Sequence, residues 1–518
     1  MEQGSLQILI VMVVYMAAVI GIGIFFARRA NADTEKFFLG GRSLGPWVSA
    51  MSAEASDMSG WLLMGLPGVA YWCGLADAFW TAAGLAVGTY INWLVVSKRL
   101  RRYSIAANNS ITLPEFFSNR FHEKKKVIMG ISAAFILVFF TVYAASCLVT
   151  CGKLFSTLFG APYITMMLVG AAFVLIYTLL GGFLAESASD FMQAIVMVVV
   201  LVAVLTLGVA SAGGLNAVFE NVKDFPGFLE FFGIADPVTE CGVQLAVNGV
   251  PSFGARQNYG ALNVASMLAW GLGYFGMPQV LLRFMAIRRE DELKRARRVA
   301  MVWVVISLAA AIMIGIVGRT LFPTALTTAS EAENVFIYLS RSLLPAALAG
   351  LAMAGILAAT ISSSDSYLLI AASAFAKNAY QGIFKKNATD KEVMTLSRIM
   401  LLVITAIAIV IALDENSVIF TIVSFAWAGF GATFGPLVLF SLFWKRMTRA
   451  GAIAGMLSGG GMVFIWKLVI KPLGGIFGIY ELLPAFIVSS ILIIAVSLLT
   501  SAPSKEIQDE FERVKKGA

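Results

Sequence analysis

Two apolar stretches of the sequence carry oxygen-bearing side chains that could bind a cation or a charged solute. The first, SAEASDMSGWLLMGLPG at residues 52–68, holds Glu54 and Asp57 within an otherwise apolar run. The second, GILAATISSSDSYLL at residues 355–369, contains the consecutive polar residues Ser362, Ser363, Ser364, Asp365 and Ser366. Ionisable groups within such apolar segments are costly in a bilayer, so they are candidate functional residues.

The serine cluster has two explanations. Serine hydroxyls can bond back to the preceding helical turn, which would satisfy them without any function. Alternatively, the hydroxyls join backbone carbonyls freed where a helix opens, and together they supply the several oxygen ligands that a hard cation such as Na+ requires. Asp365 and Ser366, together with Asp190 at the start of SDFMQAIVMVVV, are candidates for a second cation or a proton.

Glycine and proline mark two places where a membrane helix could be interrupted. Ser59-Gly60 lies in mid-span of the first stretch, and WGLGYFGMP at residues 270–278 contains three glycines and a proline. Irregular backbone survives within a membrane only where it lines a cavity or is covered by protein. Paired breaks in corresponding positions indicate a transporter binding site, whereas the alternative is that the glycines only permit close helix packing.

The composition requires these stretches to lie in membrane-spanning helices. Of the 518 residues, 59% are hydrophobic and 13% are charged, and the mean hydropathy is +0.85. These values are typical of a polytopic helical membrane protein and exclude a soluble domain of any size. One histidine and four dispersed cysteines argue against a zinc or iron enzyme, and we expect His122 to be solvated in a polar loop.

Hydropathy and loop composition predict about thirteen transmembrane helices. The predicted spans are 6–27, 47–73, 76–97, 126–156, 162–181, 188–212, 262–285, 297–321, 336–378 (broken or partly outside the membrane), 396–413, 418–443, 450–470 and 479–500. The two candidate breaks then fall in the second and seventh helices, five helices apart. That spacing predicts two five-helix repeats after one extra N-terminal helix.

Basic residues are concentrated in alternate predicted loops, at residues 28–42, 98–126, 288–298, 377–391 and 445–449. The positive-inside rule places these loops in the cytoplasm, with the N-terminus outside and the charged tail 502–518 inside. The net charge of +8 then reflects membrane topology rather than nucleic-acid binding. Within the acidic external segment 213–261, residues 224–261 are expected to form a variable loop, with an external cap as the alternative.

Six stretches resemble hallmark motifs of the sodium/solute symporter family: FFLGGRSLGP, ASDMSGWLLMGLPG, GGFLAESASDFMQA, WGLGYFGMPQVLLRFMA, AWAGFGATFGP and WKRMTRAGAIAGM. The resemblance extends from about residue 10 to residue 500. It implies an all-α membrane protein with the five-plus-five inverted repeat of the leucine transporter, one extra N-terminal helix and two extra C-terminal helices. A single transporter domain, 1–501, would contain repeats at about 46–212 and 262–443, followed by the short charged tail.

The resemblance implies sodium as the coupling ion and assigns its ligands. The sodium site is expected at Ala55, Met58, Ala359, Ser362 and Ser363, with the serines ligating through hydroxyls and the others through backbone carbonyls. Asp190 matches a family aspartate near the sodium path. Arg42 in LGGRSLG matches a family arginine at the cytoplasmic mouth, so we expect it to act as a cytoplasmic gate. Glu54 receives no role, and we expect it to face water or to pair with a base.

The resemblance also implies the transported solute and the residues that bind it. L-proline is the expected solute, taken up across the bacterial inner membrane by alternating access. Another amino acid, a betaine-like osmolyte or a carboxylate is the alternative. The solute site is expected at Asp57, Ser59, Gly60, Trp61, Tyr143, Trp270, Tyr274 and Pro278. Beyond sodium, the solute and membrane lipid, we expect no nucleic-acid partner, no obligate protein partner and no enzymatic activity.

Overall fold

The computed structural model of the protein describes residues 3–30, 34–180 and 182–517, which form mainly α-helices. The first half contains α1 (Gln3–Ala30), α2 (Thr34–Leu39), α3 (Pro46–Asp57), α4 (Leu66–Cys73), α5 (Leu75–Ile91), α6 (Ser97–Ala106), α7 (Leu113–Arg120), α8 (Val127–Phe159), α9 (Tyr163–Leu180), α10 (Phe183–Ser211) and α11 (Leu215–Glu220). The second half contains α12 (Ala261–Leu268), α13 (Pro278–Ala286), α14 (Leu293–Leu321), α15 (Ala329–Ala332), α16 (Val335–Leu343), α17 (Ala346–Ser373), α18 (Asp390–Ile411), α19 (Ile419–Phe443), α20 (Arg449–Ile465), α21 (Leu482–Leu499) and α22 (Lys505–Lys516).

The predicted spans coincide with helices. Within the described part of the chain, nine helices are long and apolar enough to cross a membrane, and four shorter apolar helices occupy Leu6–Ile22, Trp61–Cys73, Tyr163–Leu179 and Ala261–Phe275. The number of helices that cross the membrane stays a prediction. Several boundaries differ from the prediction, because polar residues in the first two turns lower the hydropathy at a helix start: α10 begins at Phe183 rather than 188, and α18 begins at Asp390 rather than 396.

The first predicted break is present between α3 and α4. α3 ends at Asp57, and Met58 leaves the helical region with φ −82° and ψ 66°. The chain then re-enters through a π-helical turn, Trp61–Gly65, which joins α4 directly. Gly60 has no side chain because α8 passes against it: a Cβ placed there would lie 2.5 Å from both outer side-chain atoms of Thr150.

The second predicted break separates α12 from α13. The intervening Ala269–Phe275 segment is a 3-10 helix, and Pro278 occupies the first turn of α13, where its missing N–H costs no hydrogen bond. Backbone contact with α5 explains the glycines of this segment. A methyl group added at Gly271 would lie 2.2 Å from the carbonyl oxygen of Gly84. The two interrupted helices are therefore real, and each interruption lies against another helix.

The ninth predicted span, 336–378, is broken as expected. α16 ends at Leu343, Pro345 starts a change of direction, and α17 follows and continues as a π-helical segment through Ala374–Phe384. α17 forms the centre of the molecule, where it packs against α8, α10, α1 and α3. From Ala352 to Ala374 its side chains are all buried, which explains why its sequence shows no amphipathic period.

The part of segment 213–261 that we expected to be a variable external loop contains short strands. It forms three antiparallel strand pairs: β1 (Gly233–Ile234) with β6 (Gln257–Asn258), β2 (Thr239–Glu240) with β3 (Val243–Gln244), and β4 (Ala246–Val247) with β5 (Val250–Pro251). The segment rests on the start of α5, where Trp80 Nε1 donates to the Phe231 carbonyl at 2.7 Å. An ion pair within it, between Arg256 and Glu230, lowers the pKa of the Glu230 carboxyl.

The tail 502–518 contains an amphipathic helix, α22, which lies against α6. Its buried face presents Phe511, whose ring lies under the guanidinium groups of Arg99 and Arg120 at 4.8 and 5.4 Å. His122 is not simply solvated, because its Nε2 lies 2.9 Å from Glu510 Oε2 of α22. We call the side of the molecule that carries α6, α22 and the basic segments the basic face.

Candidate functional site

Four of the five predicted sodium ligands meet where α17 crosses the end of α3. The Ser362 hydroxyl lies 2.9 Å from the Ala55 carbonyl oxygen, and the Ser363 hydroxyl lies 3.3 Å from the same oxygen. The Ser362 hydroxyl is also 3.2 Å from the Ala359 carbonyl. All of these residues are fully buried. Two helices that are distant in sequence thus gather two hydroxyl and two carbonyl oxygens in one place.

Met58, the fifth predicted ligand, lies three residues beyond Ala55 at the point where α3 ends. Its N–H donates to the Glu54 carbonyl at 2.8 Å, which closes the last turn of the helix. It is buried. Because the following residues leave the helix, carbonyl groups of this last turn lose their usual i+4 partners and can serve as ligands.

Beside this cluster, a single buried guanidinium joins four helices. Arg283 of α13 donates to Ser52 Oγ at 3.0 Å, to Ser366 Oγ at 3.0 Å, to Asp190 Oδ2 at 3.2 Å and to the Glu186 carboxylate. The Ser52 hydroxyl in turn donates to Asp190 Oδ2 at 2.7 Å. We call Arg283 and these four partners the arginine hub.

The predicted second-cation residues belong to or adjoin this hub. Ser366 bonds to both Arg283 and Glu186, and its hydroxyl also reaches the Ser362 carbonyl at 3.0 Å. Asp365 interacts electrostatically with Glu186 and Asp190 and shares a small cavity with Glu186. One oxygen of Asp190 and one of Asp365 have no hydrogen-bond partner in the described part of the chain. Three buried carboxyls therefore face one guanidinium, an excess that favours a cation or a proton.

Seven of the eight predicted solute residues lie at the two helix breaks, and the eighth, Tyr143, lies on α8. Asp57 ends α3, and Gln279 Nε2 of α13 donates to Asp57 Oδ1 at 3.4 Å. Ser59 Oγ accepts a hydrogen bond from the backbone N–H of Trp61 at 3.3 Å. Pro278 starts α13 and places Gln279 next to the break. A carboxylate, an amide and freed backbone groups thus converge between the broken helices.

An aromatic cluster adjoins these polar groups. The Trp61 and Trp270 ring centroids lie 5.7 Å apart, and Phe420 packs on both, at 6.2 and 5.1 Å. Trp427 contacts Tyr274 edge-on at 5.0 Å. On α8, the Tyr143 ring stacks on Tyr367 at 4.2 Å and its hydroxyl interacts with Ser59. Flat aromatic faces of this kind suit an apolar ring or chain.

Two polar atoms in this region are buried without a hydrogen-bond partner among the described residues: Trp61 Nε1 and Gln279 Oε1. Buried polar groups are normally paired, so the two unpaired atoms require an explanation. A small polar molecule bound between the aromatic rings would supply the missing partners.

A buried ion pair lies at the end of the site that faces away from the basic face, and it holds the covering residue Phe420 in place. Lys153 Nζ of α8 contacts Glu333 Oε2 at 2.7 Å, and both side chains are buried. The Glu333 carboxylate also accepts the N–H groups of Ile419 and Phe420, each at 2.9 Å, at the start of α19. Glu333 therefore fixes Phe420 over Trp61 and Trp270.

Arg42 lies on the basic face and links several elements there; its role as a cytoplasmic gate stays a prediction. Its guanidinium donates to the Met285 and Ser110 carbonyls at 2.7 and 2.8 Å, and to Ser104 Oγ and Asn109 Oδ1 at 3.1 Å each. Burial lowers the pKa of Arg42 to about 10, so it remains a cation at neutral pH. The contacts join the end of α13 to α6 and the loop that follows it.

Glu54 does not face water, and it pairs with no base in the part of the chain that the structure describes. It is buried, its Oε1 accepts from Trp93 Nε1 at 3.2 Å, and its Oε2 has no partner among the described residues. Trp93 cannot be recognised as its partner from sequence, because the two residues lie 39 positions apart on different helices.

Sequence reasoning missed several residues of the site. Arg283 stands in the apolar run VLLRFMA, and an isolated charge in a membrane segment is itself a signal. Glu186 stands four residues before Asp190, so both project from the same face of α10. Gln279 is a polar residue in the same apolar run and could have been noticed for that reason. Phe420 and Trp427 carry no such signal, since aromatic residues are common in membrane helices.

Comparison with known proteins gives a consistent result. The model of the sodium:solute symporter family matches residues 37–459. The sodium/proline symporter of Haemophilus influenzae is 43% identical over 512 residues, which cover 98% of this chain and 97% of that protein. The sodium/proline symporter of Escherichia coli is 40% identical over 511 residues, with coverage of 98% and 96%.

A solved structure shares the fold. A Na+-coupled sialic acid symporter in a substrate-bound, outward-open state matches with a TM-score of 0.76 at 16% identity, over 96% of this chain and 99% of the other. The likeness confirms the predicted all-α, inverted-repeat architecture of the leucine-transporter type. The assignment of individual site residues stays a prediction.

Proposed function

Because this chain belongs to the sodium:solute symporter family, we propose that it is a secondary active transporter that takes up L-proline together with sodium by alternating access. Relatives at about 40% identity over nearly the full length carry the name sodium/proline symporter. The family is one of transporters, and we propose that this chain has no enzymatic activity.

One observation supports sodium as the coupling ion. The Ala55 carbonyl oxygen lies within hydrogen-bond distance of the Ser362 and Ser363 hydroxyls at the end of α3. In this proposal Ala55, Met58 and Ala359 ligate Na+ through carbonyls, and the two serines ligate it through hydroxyl lone pairs. Sodium would thereby fix the last turn of α3, which also carries Asp57. Sodium and solute then favour each other's binding by an equal factor, as linkage requires.

The solute site is proposed between the two breaks. Proline is a zwitterion with a compact apolar ring. The carboxylate of Asp57 suits its positive nitrogen, the freed backbone N–H groups near Ser59 and Gly60 suit its carboxylate, and Trp61, Trp270, Tyr274 and Tyr143 suit its ring. Pro278 positions the start of α13 at this site.

A second cation or proton is proposed at Asp190, Asp365 and Ser366, supported by the excess of carboxyls over guanidinium in the arginine hub. One charge moving through 100 mV is worth about 2.3 kcal/mol, which corresponds to roughly a fiftyfold solute gradient. A second charge would square that factor, so the occupancy of this site decides how steep a gradient the protein can sustain.

The orientation and domain limits are also proposals. The basic face would be cytoplasmic, with Arg42 as the gate on that side, the N-terminus outside and the tail 502–518 inside the cell. A bacterial inner membrane is the expected location. A single transporter domain, 1–501, would contain repeats at about 46–212 and 262–443, and no nucleic-acid or obligate protein partner is proposed.

The test is uptake of radiolabelled L-proline into proteoliposomes under an inward sodium gradient, compared with potassium. We expect accumulation only with sodium, and competition by proline analogues but not by betaine or other amino acids. Ser362→Ala removes one proposed ligand and should raise the sodium concentration for half-maximal uptake by about tenfold or more, the equivalent of about 1.4 kcal/mol.

Ser364→Ala is the matched control. Its hydroxyl bonds to the Thr360 and Ile361 carbonyls of its own helix at 2.6 and 3.3 Å, so its sodium response should equal that of the wild type. Sodium-driven uptake of a different solute would contradict the proline assignment and leave the ion site standing. Equal effects of both substitutions would contradict the ion site.

A further inference from the structure

An open groove of about 650 Å³ lies on the outside of the helix bundle, and the solute and ion sites do not use it. Its walls come from three helices. Trp47 and Met51 lie on α3, Ile195 and Val199 lie on α10, and Val302 and Ile306 lie on α14. The lining includes two arginines, Arg295 and Arg298 of α14, and no acidic residue.

The two arginines lack the partners that their neighbours have. Arg288 pairs with Glu292, Arg289 pairs with Asp291, and Arg297 lies over the Tyr90 ring at 5.4 Å. Within the described residues, no hydrogen bond or ion pair is made by Arg295 or Arg298, and both are exposed. The acidic residues of this segment are already engaged, since Glu290 binds Arg102 and Lys98. Two positive charges therefore remain at one end of the groove.

The apolar part of the groove has the length of one membrane leaflet. Arg295 and Arg298 lie one turn apart near the start of α14. Val299, Val302 and Ile306 follow them on the same groove-lining face of this helix. At 1.5 Å per residue, the distance from the arginines to Ile306 is about 12 to 17 Å. Half of a hydrocarbon core of about 30 Å is about 15 Å. Trp47, 55% exposed near the start of α3, is a typical membrane-interface residue.

We propose that this groove is a binding site for an anionic phospholipid. The phosphate would be held by Arg295 and Arg298, whose planar guanidinium groups match phosphate oxygens, and an acyl chain would lie along Val302 and Ile306. Basic pockets between transmembrane helices are suited to anionic headgroups. α3 forms one wall, and its other end carries Ala55 and Asp57, so the bound lipid contacts the helix that builds the proposed transport site.

Lipid retention provides a test that needs no transport. The full-length protein is reconstituted in nanodiscs with equal amounts of phosphatidylglycerol and phosphatidylcholine, extracted into mild detergent and examined by native mass spectrometry. We expect the wild type to retain more phosphatidylglycerol than phosphatidylcholine. The double variant Arg295→Gln/Arg298→Gln should lose that preference by up to about thirtyfold, as expected from two basic residues at a membrane surface.

The matched control removes two positive charges from the same segment but outside the groove, as Arg289→Gln/Lys294→Gln, and should retain the lipid as the wild type does. Val302→Trp should also lose the lipid, because it fills the groove while keeping both arginines. Three results would each overturn the site. The double arginine variant could keep the preference for phosphatidylglycerol, the control could lose that preference to the same extent, or Val302→Trp could retain the lipid as the wild type does. Displacement of the lipid by millimolar inorganic phosphate would overturn it too, since it would indicate a site for free anions.

Discussion

At the scale of single residues, the contact between Gln279 and Asp57 is the most direct test of the proposed solute site. It joins the two broken helices, and at 3.4 Å it is a long hydrogen bond. Gln279→Leu would leave Asp57 without this donor. A lost hydrogen bond to a charged group costs about 1.5–3 kcal/mol, so we expect the KM for proline to rise at least about tenfold. Uptake kinetics at saturating sodium measure the change.

Gln381→Leu serves as the control for this substitution. Gln381 also donates through its side chain, to the Ala388 carbonyl at 2.8 Å, but it lies in the π-helical segment after α17. Its KM should match the wild type. An unchanged KM in Gln279→Leu would mean that Asp57 does not contact the solute through this arrangement.

The sequence could identify residues of the site only where their type was unusual for a membrane helix. Asp57, the serines of α17 and Asp190 stood out because charge and hydroxyl groups are costly there. Trp427 and Phe420 did not, since aromatic residues are ordinary in such helices. Their role depends on which helix faces which, and that is decided by packing between segments more than a hundred residues apart.

At the scale of helices, the buried pair between Lys153 and Glu333 should control stability. Glu333→Gln leaves a buried ammonium unpaired and weakens the capping of α19. Breaking one partner of a buried pair costs about 3–5 kcal/mol. We expect a clear fall in the unfolding temperature in detergent micelles, followed by tryptophan fluorescence.

Adding Lys153→Met to Glu333→Gln should recover part of the lost stability, because no buried charge remains. Glu220→Gln breaks an exposed pair with Lys223 and should leave the unfolding temperature unchanged. Failure of the double variant to recover any stability would assign the loss to the capping of α19 rather than to the ion pair.

The helix α22 should detach when its aromatic anchor is removed. Phe511 is buried against Tyr103 and the two guanidinium groups of Arg99 and Arg120. In Phe511→Ala we expect trypsin to cleave within Lys505–Lys516 markedly faster than in the wild type. Phe384→Ala, which removes a ring that is 76% exposed, should not change the cleavage rate. Equal rates for all three proteins would show that the ring does not hold α22.

Elements differ in how visible they are in a sequence. Long apolar helices and their breaks were predictable, because hydropathy and the placement of glycine and proline act locally. The strand pairs of segment 213–261 are two residues long and escaped notice, although VNGV at 247–250 is a typical hairpin turn in which Asn248 and Gly249 both have positive φ. α22 escaped too, since its apolar residues recur at helical spacing only over twelve residues.

At the scale of the whole molecule, the arginine hub holds α3, α10, α13 and α17 together. Arg283→Lys keeps the charge but replaces a fork of five N–H donors by a compact ammonium, which cannot reach all the partners. We expect a loss of about 1.5–3 kcal/mol in unfolding free energy for each charge-assisted hydrogen bond that is not remade, measured by thermal unfolding. Arg288→Lys, in an exposed pair with Glu292, is the control and should unfold like the wild type.

The hub also constrains how the chain enters the bilayer. An isolated helix pays about 2.5–3.5 kcal/mol to insert an arginine at its centre, and α13 is short. Its carboxylate partners, Glu186 and Asp190, lie on α10, which is synthesised earlier. The carboxylates of Glu186 and Asp190 are therefore already in the membrane when Arg283 leaves the translocon. Insertion of the α12–α13 segment then depends on α10, and so on the order in which the helices are translated.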